Sequence, residues 1–243
     1  MESIKIKEEL DTVIIKDLDR TYPNCQLFKD KYGNGQRKLY KVLSNYSKYN
    51  TATGYVQGMG FIAAVFLTYM DEENSFWMLL SLFKNYKLED IYYKEFPGLR
   101  KRLFILMKLI EKFMPKIYEK LIEYNIYPTM YASQWFFTCF ANCLPFNAVV
   151  RIFDCYLLEG EKIIFRIALA LFKLKEKEIL NENTFESIME ILRNATRGVI
   201  NEEELLKIAF DFSLSRNDIR YYEYIYQQLS ITNNEELQQL LGY

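Results

Sequence analysis

Apolar residues recur at three- and four-residue steps along most of this chain, and that spacing restricts it to packed helices. Ile105, Leu106, Leu109, Ile110 and Phe113 share one helical face between Pro97 and Pro115. Ile163, Ile164, Ile167, Leu171 and Leu174 repeat the pattern, as do Ile188, Ile191 and Leu192, then Leu205, Ile208 and Phe212. Period-two alternation bounded by tight turns is hard to find. With 9 Gly and 5 Pro in 243 residues, turn signals are too sparse for a many-stranded β fold. Pro23, Pro97, Pro115, Pro128 and Pro145 each open or close a helical segment. Asp71-Glu72-Glu73-Asn74 places acidic residues at a helix start, where the backbone dipole favours them. The pattern predicts about a dozen helices in an all-α fold, with most of the aromatic residues in its core. No linker, repeat or low-complexity stretch divides residues 1–243, so one domain is expected.

Composition removes several function classes. Lys plus Arg is 31 and Asp plus Glu is 32, so no global basic field attracts nucleic acid or anionic membrane. Histidine is absent, which excludes the Ser-His-Asp triad, the Cys-His pair and His-ligated zinc. Cys25, Cys139, Cys143 and Cys155 contain no C-x-x-C. Cys139 and Cys143 would share a face if helical, yet no matching ligands complete a zinc site, so no metal is assigned and buried reduced thiols are expected. The N-terminal residues Met1 to Lys5 are charged and precede no apolar run, so no secretory leader is expected. The longest apolar stretch, Gly58 to Met70, is too short to span a bilayer and reads as a buried helix.

Three segments do not read as plain helix packing. Arg20 ends the first helix just before the turn marked by Pro23, and Asp17 lies three residues earlier on the same face. An Arg held there suits a partner's phosphate site; a solvated ion pair of little worth fits the same spacing. In Thr53-Gly-Tyr-Val-Gln-Gly-Met-Gly60, three glycines precede the apolar helix. Gln57 therefore stands at the mouth of a buried helix, with an amide that can donate and accept. It could position a water or meet a γ-phosphate; it could equally be an incidental polar residue beside a close packing contact. Gly58-x-Gly60-x-x-Ala63 imitates a dinucleotide fingerprint, but residues 48–57 make a poor strand and no parallel-sheet pattern follows. No P-loop motif occurs. In the third segment, Pro145 suits a helix start, and Arg151 and Asp154 are spaced to form a partly buried ion pair among apolar neighbours.

In this order the segments resemble the TBC domain, the Rab GTPase-activating module. The pattern I-x-x-D-x-x-R matches Ile14, Asp17 and Arg20; Y-x-Q-G matches Tyr55, Gln57 and Gly58; P-x(5)-R-I-[WF]-D matches Pro145, Arg151, Ile152, Phe153 and Asp154. Met70 to Trp77 and Ser133 to Phe136 also look like the family. Val56 stands where the family often has Cys, Phe153 replaces the usual Trp, and the early R-x-x-x-W pattern is absent. The resemblance covers about residues 12–225, leaving a helical tail at about 226–243. It implies an all-helical domain that accelerates GTP hydrolysis by a Rab GTPase in trans, without turnover of its own. Arg20 matches the arginine finger and Gln57 the glutamine finger, which takes over water positioning from the GTPase. Asp17, Tyr55, Gly58, Arg151 and Asp154 are implied as supporting residues. Magnesium and GTP would belong to the partner, so no cofactor is assigned to this chain. The implied partner is a GTP-bound Rab, with transient recruitment from the cytoplasm to endomembranes and a role in vesicle traffic. A TBC-like module that binds a Rab without accelerating hydrolysis is the other reading.

Overall fold

A computed structural model describes residues 11–197 and 201–242, and these contain helices and no strand. The segment on which the absence of a leader was read lies outside them. The helices are α1 (residues 11–18), α2 (Asn34–Tyr49), α3 (Met59–Leu67), α4 (Glu72–Asn85), α5 (Pro97–Phe113), α6 (Pro115–Glu123) and α7 (Ser133–Phe137). They continue with α8 (Phe146–Glu159), α9 (Lys162–Asn181), α10 (Phe185–Asn194), α11 (Glu202–Asp211), α12 (Arg216–Thr232) and α13 (Asn234–Leu241). Short 3-10 turns occupy Glu89–Tyr92 and Pro128–Met130.

Local chemistry sets many of these boundaries. Asp71 caps α4 by accepting from the Asn74 N–H, and Thr184 caps α10 through the Ser187 N–H. Asn201 accepts from two N–H groups at the start of α11. Ser215 and Asp218 form a reciprocal capping box on α12. Pro97 and Pro115 each open a helix, where a missing N–H costs nothing.

The chain forms two compact units. One comprises the described residues of Met1–Gly98 together with Phe137–Asn142. Its core is the mutual packing of α2, α3 and α4. All nine residues of α3 are buried, as its nearly unbroken apolar sequence requires. Tyr46, Phe83 and Tyr92 continue this core in a chain of ring contacts, each 5.1 Å between centroids. The Tyr92 hydroxyl donates to the Phe137 carbonyl at 2.5 Å, and Tyr22 donates to the Ala141 carbonyl at 2.6 Å. These bonds hold residues 137–142 within the unit. Cys139 lies in this irregular stretch with φ of +48°, so the condition for it to share a helical face with Cys143 is not met. Its thiol is buried, whereas Cys25, Cys143 and Cys155 are only half-buried; none of the four forms a disulfide.

The other unit comprises the described residues of Leu99–Phe136 and Cys143–Tyr243. The twenty-residue α9 is its axis, packing against α6, α8, α10 and α11. Arg102 is buried and pairs with Glu161 at 2.9 Å. Helix α12 runs unbroken through residue 226, and α13 buries Leu237 and Leu241. The Leu241 carbonyl accepts from the Thr129 hydroxyl. Among the described residues no helix is long and apolar enough to cross a membrane, and no acidic, Cys or His cluster could hold a metal ion.

The buried Tyr131 hydroxyl in this unit lacks a hydrogen-bond partner. The Tyr131 ring packs edge-on against Trp135 and Phe172, at 5.5 and 5.7 Å, and its hydroxyl makes no hydrogen bond. Burial pushes its pKa far above the ordinary tyrosine range. Tyr131→Phe removes an unsatisfied hydroxyl and keeps the ring contacts. It should stabilise the protein by about 1–2 kcal/mol. Urea denaturation should show a higher midpoint at unchanged slope.

Candidate functional site

Arg20 lies two residues beyond α1, in a turn closed by N–H groups of Arg20 and Thr21 bonding the Asp17 and Leu18 carbonyls. Asp17 occupies the last turn of α1. Its side chain is 8% exposed, against 45% for Arg20, so one member of the pair is anchored and the other presented. Asp17 Oδ1 meets Arg20 Nη2 at 2.6 Å, as the spacing suggested. The Thr21 hydroxyl donates to the Asp17 carbonyl at 2.7 Å, fixing the helix end further.

The second Asp17 oxygen is taken by the segment that carries Gln57. The buried Tyr55 hydroxyl donates to Oδ2 at 2.5 Å. Burial, then the hydrogen bond and charge of Asp17, push the Tyr55 pKa far above its usual value, so the hydroxyl remains a donor at working pH. Two residues on, Gln57 is exposed. With its carboxamide oxygen toward the guanidinium, it accepts from Arg20 Nη2 at 2.7 Å and Nη1 at 2.9 Å. Gly58 then turns the chain into α3 with φ of +105°, a conformation that side chains rarely adopt. A Cβ there would also stand 3.2 Å from the Thr138 methyl.

The fold thus brings together Asp17, Arg20, Tyr55, Gln57 and Gly58. Arg151 and Asp154 behave otherwise. Both are exposed on α8, in the other unit, and no ion pair joins them. The expected partly buried pair does not form, because α8 turns Ala148, Val149, Ile152, Phe153 and Tyr156 inward and leaves 151 and 154 on the outer face. Thr138 and Ala141 were not singled out in the sequence. Their places beside Gly58 and Tyr22 arise from long-range folding that no local motif signals.

Chemically, the site offers a permanently charged fork of donors beside a carboxamide, both exposed, with the fork held by a buried carboxylate. Such an arrangement suits an anion with several oxygens, and a phosphate in particular. Its carboxylate is taken up by Arg20 and Tyr55, so a reaction here would depend on positioning and charge stabilisation.

Comparison with known proteins accords with this geometry. The family described as Rab-GTPase-TBC domain matches residues 1–180. The chain is 30% identical over 236 residues to TBC1 domain family member 1 of Mus musculus, covering 93% of this chain and 19% of that protein. It is 33% identical over 228 residues to Rab GTPase-activating protein tbc-11 of Caenorhabditis elegans, covering 93% and 24%. The chain therefore spans no more than about a quarter of these relatives' length. Among solved structures, the Chlamydomonas flagellar RabGAP TBC domain superposes with a TM-score of 0.72 at 30% identity, covering 86% of this chain and 70% of that one. The Ypt/Rab-GAP domain of Gyp1p gives a TM-score of 0.72 at 18% identity, covering 90% and 74%, a likeness of fold alone.

Proposed function

The chain belongs to the Rab-GTPase-TBC domain family, and from that premise we propose that it accelerates GTP hydrolysis by a Rab-family GTPase. One observation carries the mechanistic part: Arg20, held by a buried carboxylate, meets Gln57 at the surface. Hydrolysis of GTP moves the γ-phosphoryl group to water, and negative charge spreads over its oxygens in the transition state. The Arg20 guanidinium is always protonated and would stabilise that charge. The Gln57 carboxamide would hydrogen-bond the attacking water and hold it in line. Asp17 and Tyr55 would keep both side chains in place. GTP and its magnesium ion would be held by the partner. On this reading the chain supplies groups in trans and turns nothing over alone.

The partner would be a Rab in its GTP-bound form. A Rab anchored to an endomembrane would recruit the chain transiently from the cytoplasm, and the outcome would be control of vesicle traffic. The test is single-turnover hydrolysis across a panel of GTP-loaded Rab proteins. One or a few Rabs should hydrolyse GTP much faster with the chain present. Binding that depends on GTP, without acceleration of any Rab, would instead support the silent binding module.

A further inference from the structure

We propose that the outer face of α12 is a docking surface for an acidic, amphipathic helix of a partner protein. Helix α12 is 17 residues long and lies beyond residues 1–180, which the family description matches. Its inner face carries the packing. Ile219 is buried, and the Tyr226 ring meets Phe104 at 5.6 Å between centroids. At about 100° per residue, the opposite side of the helix holds Tyr221, Tyr224, Gln228 and Ile231, all exposed. These four follow at steps of three, four and three residues, the spacing of a seam between paired helices. Tyr221 is 59% exposed, Tyr224 57% and Ile231 80%. The Tyr222 ring meets Tyr221 edge-on at 5.3 Å and limits its freedom. Tyrosine is among the side chains that most often anchor protein interfaces.

Charge selects the partner. Helix α12 contains two carboxylates, and lysines of α5 take both: Asp218 meets Lys112 at 2.5 Å and Glu223 meets Lys101 at 3.4 Å. Its two arginines, Arg216 and Arg220, are exposed. Arg220 flanks the seam beside Tyr221 and forms no ion pair with any described residue. Arg216 Nη2 donates to the Glu159 carbonyl at 3.3 Å, and the Glu159 carboxylate is taken by Lys162 and Arg166. The outer face is therefore aromatic and positively charged. A second copy of the same face would set these arginines against tyrosine and glutamine, with no carboxylate to meet them. A helix with leucines along its seam and glutamates beside them answers both features. The seam from 221 to 231 is about 15 Å long, so three heptads of such a helix cover it.

The probe is a synthetic peptide of three heptads, with leucine at the two seam positions, glutamate flanking them and a fluorophore at one end. A second peptide carries lysine for every glutamate. Like charges keep each peptide from pairing with itself. Fluorescence anisotropy with the whole chain should show the acidic peptide bound at least about tenfold more tightly than the basic one. Arg220→Glu and Ile231→Glu should each weaken that binding at least about tenfold. Lys116→Glu makes the same charge change on the exposed surface of α6 and should alter it less than about twofold. All three positions are exposed, so circular dichroism and urea midpoints should stay at wild-type values. No binding, equal affinity for the two peptides, or an equal loss in Lys116→Glu and Arg220→Glu would overturn the proposal. Sedimentation equilibrium of the chain alone tests the second copy: a dimer dissolved by Ile231→Glu would assign the face to self-association and overturn it too. Retention on phosphatidylserine vesicles, lost in Arg220→Glu and with no peptide bound, would assign the face to a lipid surface instead. No GTPase enters these experiments, so their outcome is independent of the activator reading.

Discussion

Arg20→Ala should lower the stimulated rate of GTP hydrolysis by about 10³–10⁵-fold, equivalent to about 4–7 kcal/mol of barrier. The size follows from the chemistry assigned to the site. The guanidinium is its one group with full positive charge, and the transition state is where charge on the phosphoryl oxygens is greatest. The fold should survive, because the side chain is 45% exposed and packs no core. A smaller penalty accompanies the loss. Asp17, at 8% exposure, keeps only its Tyr55 partner, and a buried carboxylate short of a donor costs about 1–3 kcal/mol. Arg20→Ala with Asp17→Asn should recover part of that stability and none of the rate. Arg20→Lys should remain well below wild type, since an ammonium cannot meet both Asp17 and Gln57 with a planar fork. Single-turnover kinetics beside thermal melts separates the catalytic loss from the structural one.

Gly35→Ala should have the largest effect on stability, at least about 3 kcal/mol, and should leave the chain largely unfolded or insoluble at 37 °C. Gly35 opens α2, and an added Cβ would lie 1.9 Å from the Leu27 carbonyl oxygen and 2.7 Å from its carbon. Both atoms are backbone, so no rotamer change relieves the overlap. The loop cannot easily withdraw. The Gln36 amide accepts from the Tyr32 N–H at 2.9 Å and donates to the Phe28 carbonyl at 3.2 Å, while Phe28 is buried. Gly54→Ala is the matched control. A Cβ there meets nothing within 4 Å, and its φ of +63° sets a cost of only about 1–2 kcal/mol. Chemical denaturation of the two variants should separate them clearly. Comparable losses would show that the contact between Gly35 and Leu27 is relaxed by movement of the loop.

Much of the architecture is legible in local sequence because helices announce their ends. Asp71, Thr184, Asn201 and Ser215 cap where the residue types favour capping. The buried α3 follows from its apolar run. The bond between Asp17 and Arg20 is likewise a three-residue relation. The rest of the site is not legible in this way. Tyr55 reaches Asp17 across 38 positions, and motif resemblance names both residues without showing that they touch. The placement of residues 137–142 with the N-terminal helices depends on bonds from Tyr22 and Tyr92 that no periodicity encodes. Arg151 and Asp154 teach the reverse lesson. Their spacing allows a pair, but the inward positions 148, 149, 152, 153 and 156 already define the buried face of α8. The helical period itself puts 151 and 154 outside it.

The most direct test of the central claim asks whether Gln57 positions the attacking water. The responsive Rab would carry leucine in place of its own water-positioning glutamine, and single-turnover hydrolysis would be measured with wild type and with Gln57→Ala. If Gln57 aligns the water in trans, wild type should still accelerate the altered Rab strongly, and Gln57→Ala should not accelerate it. Loss of stimulation by wild type on the altered Rab, with binding intact, would contradict the account.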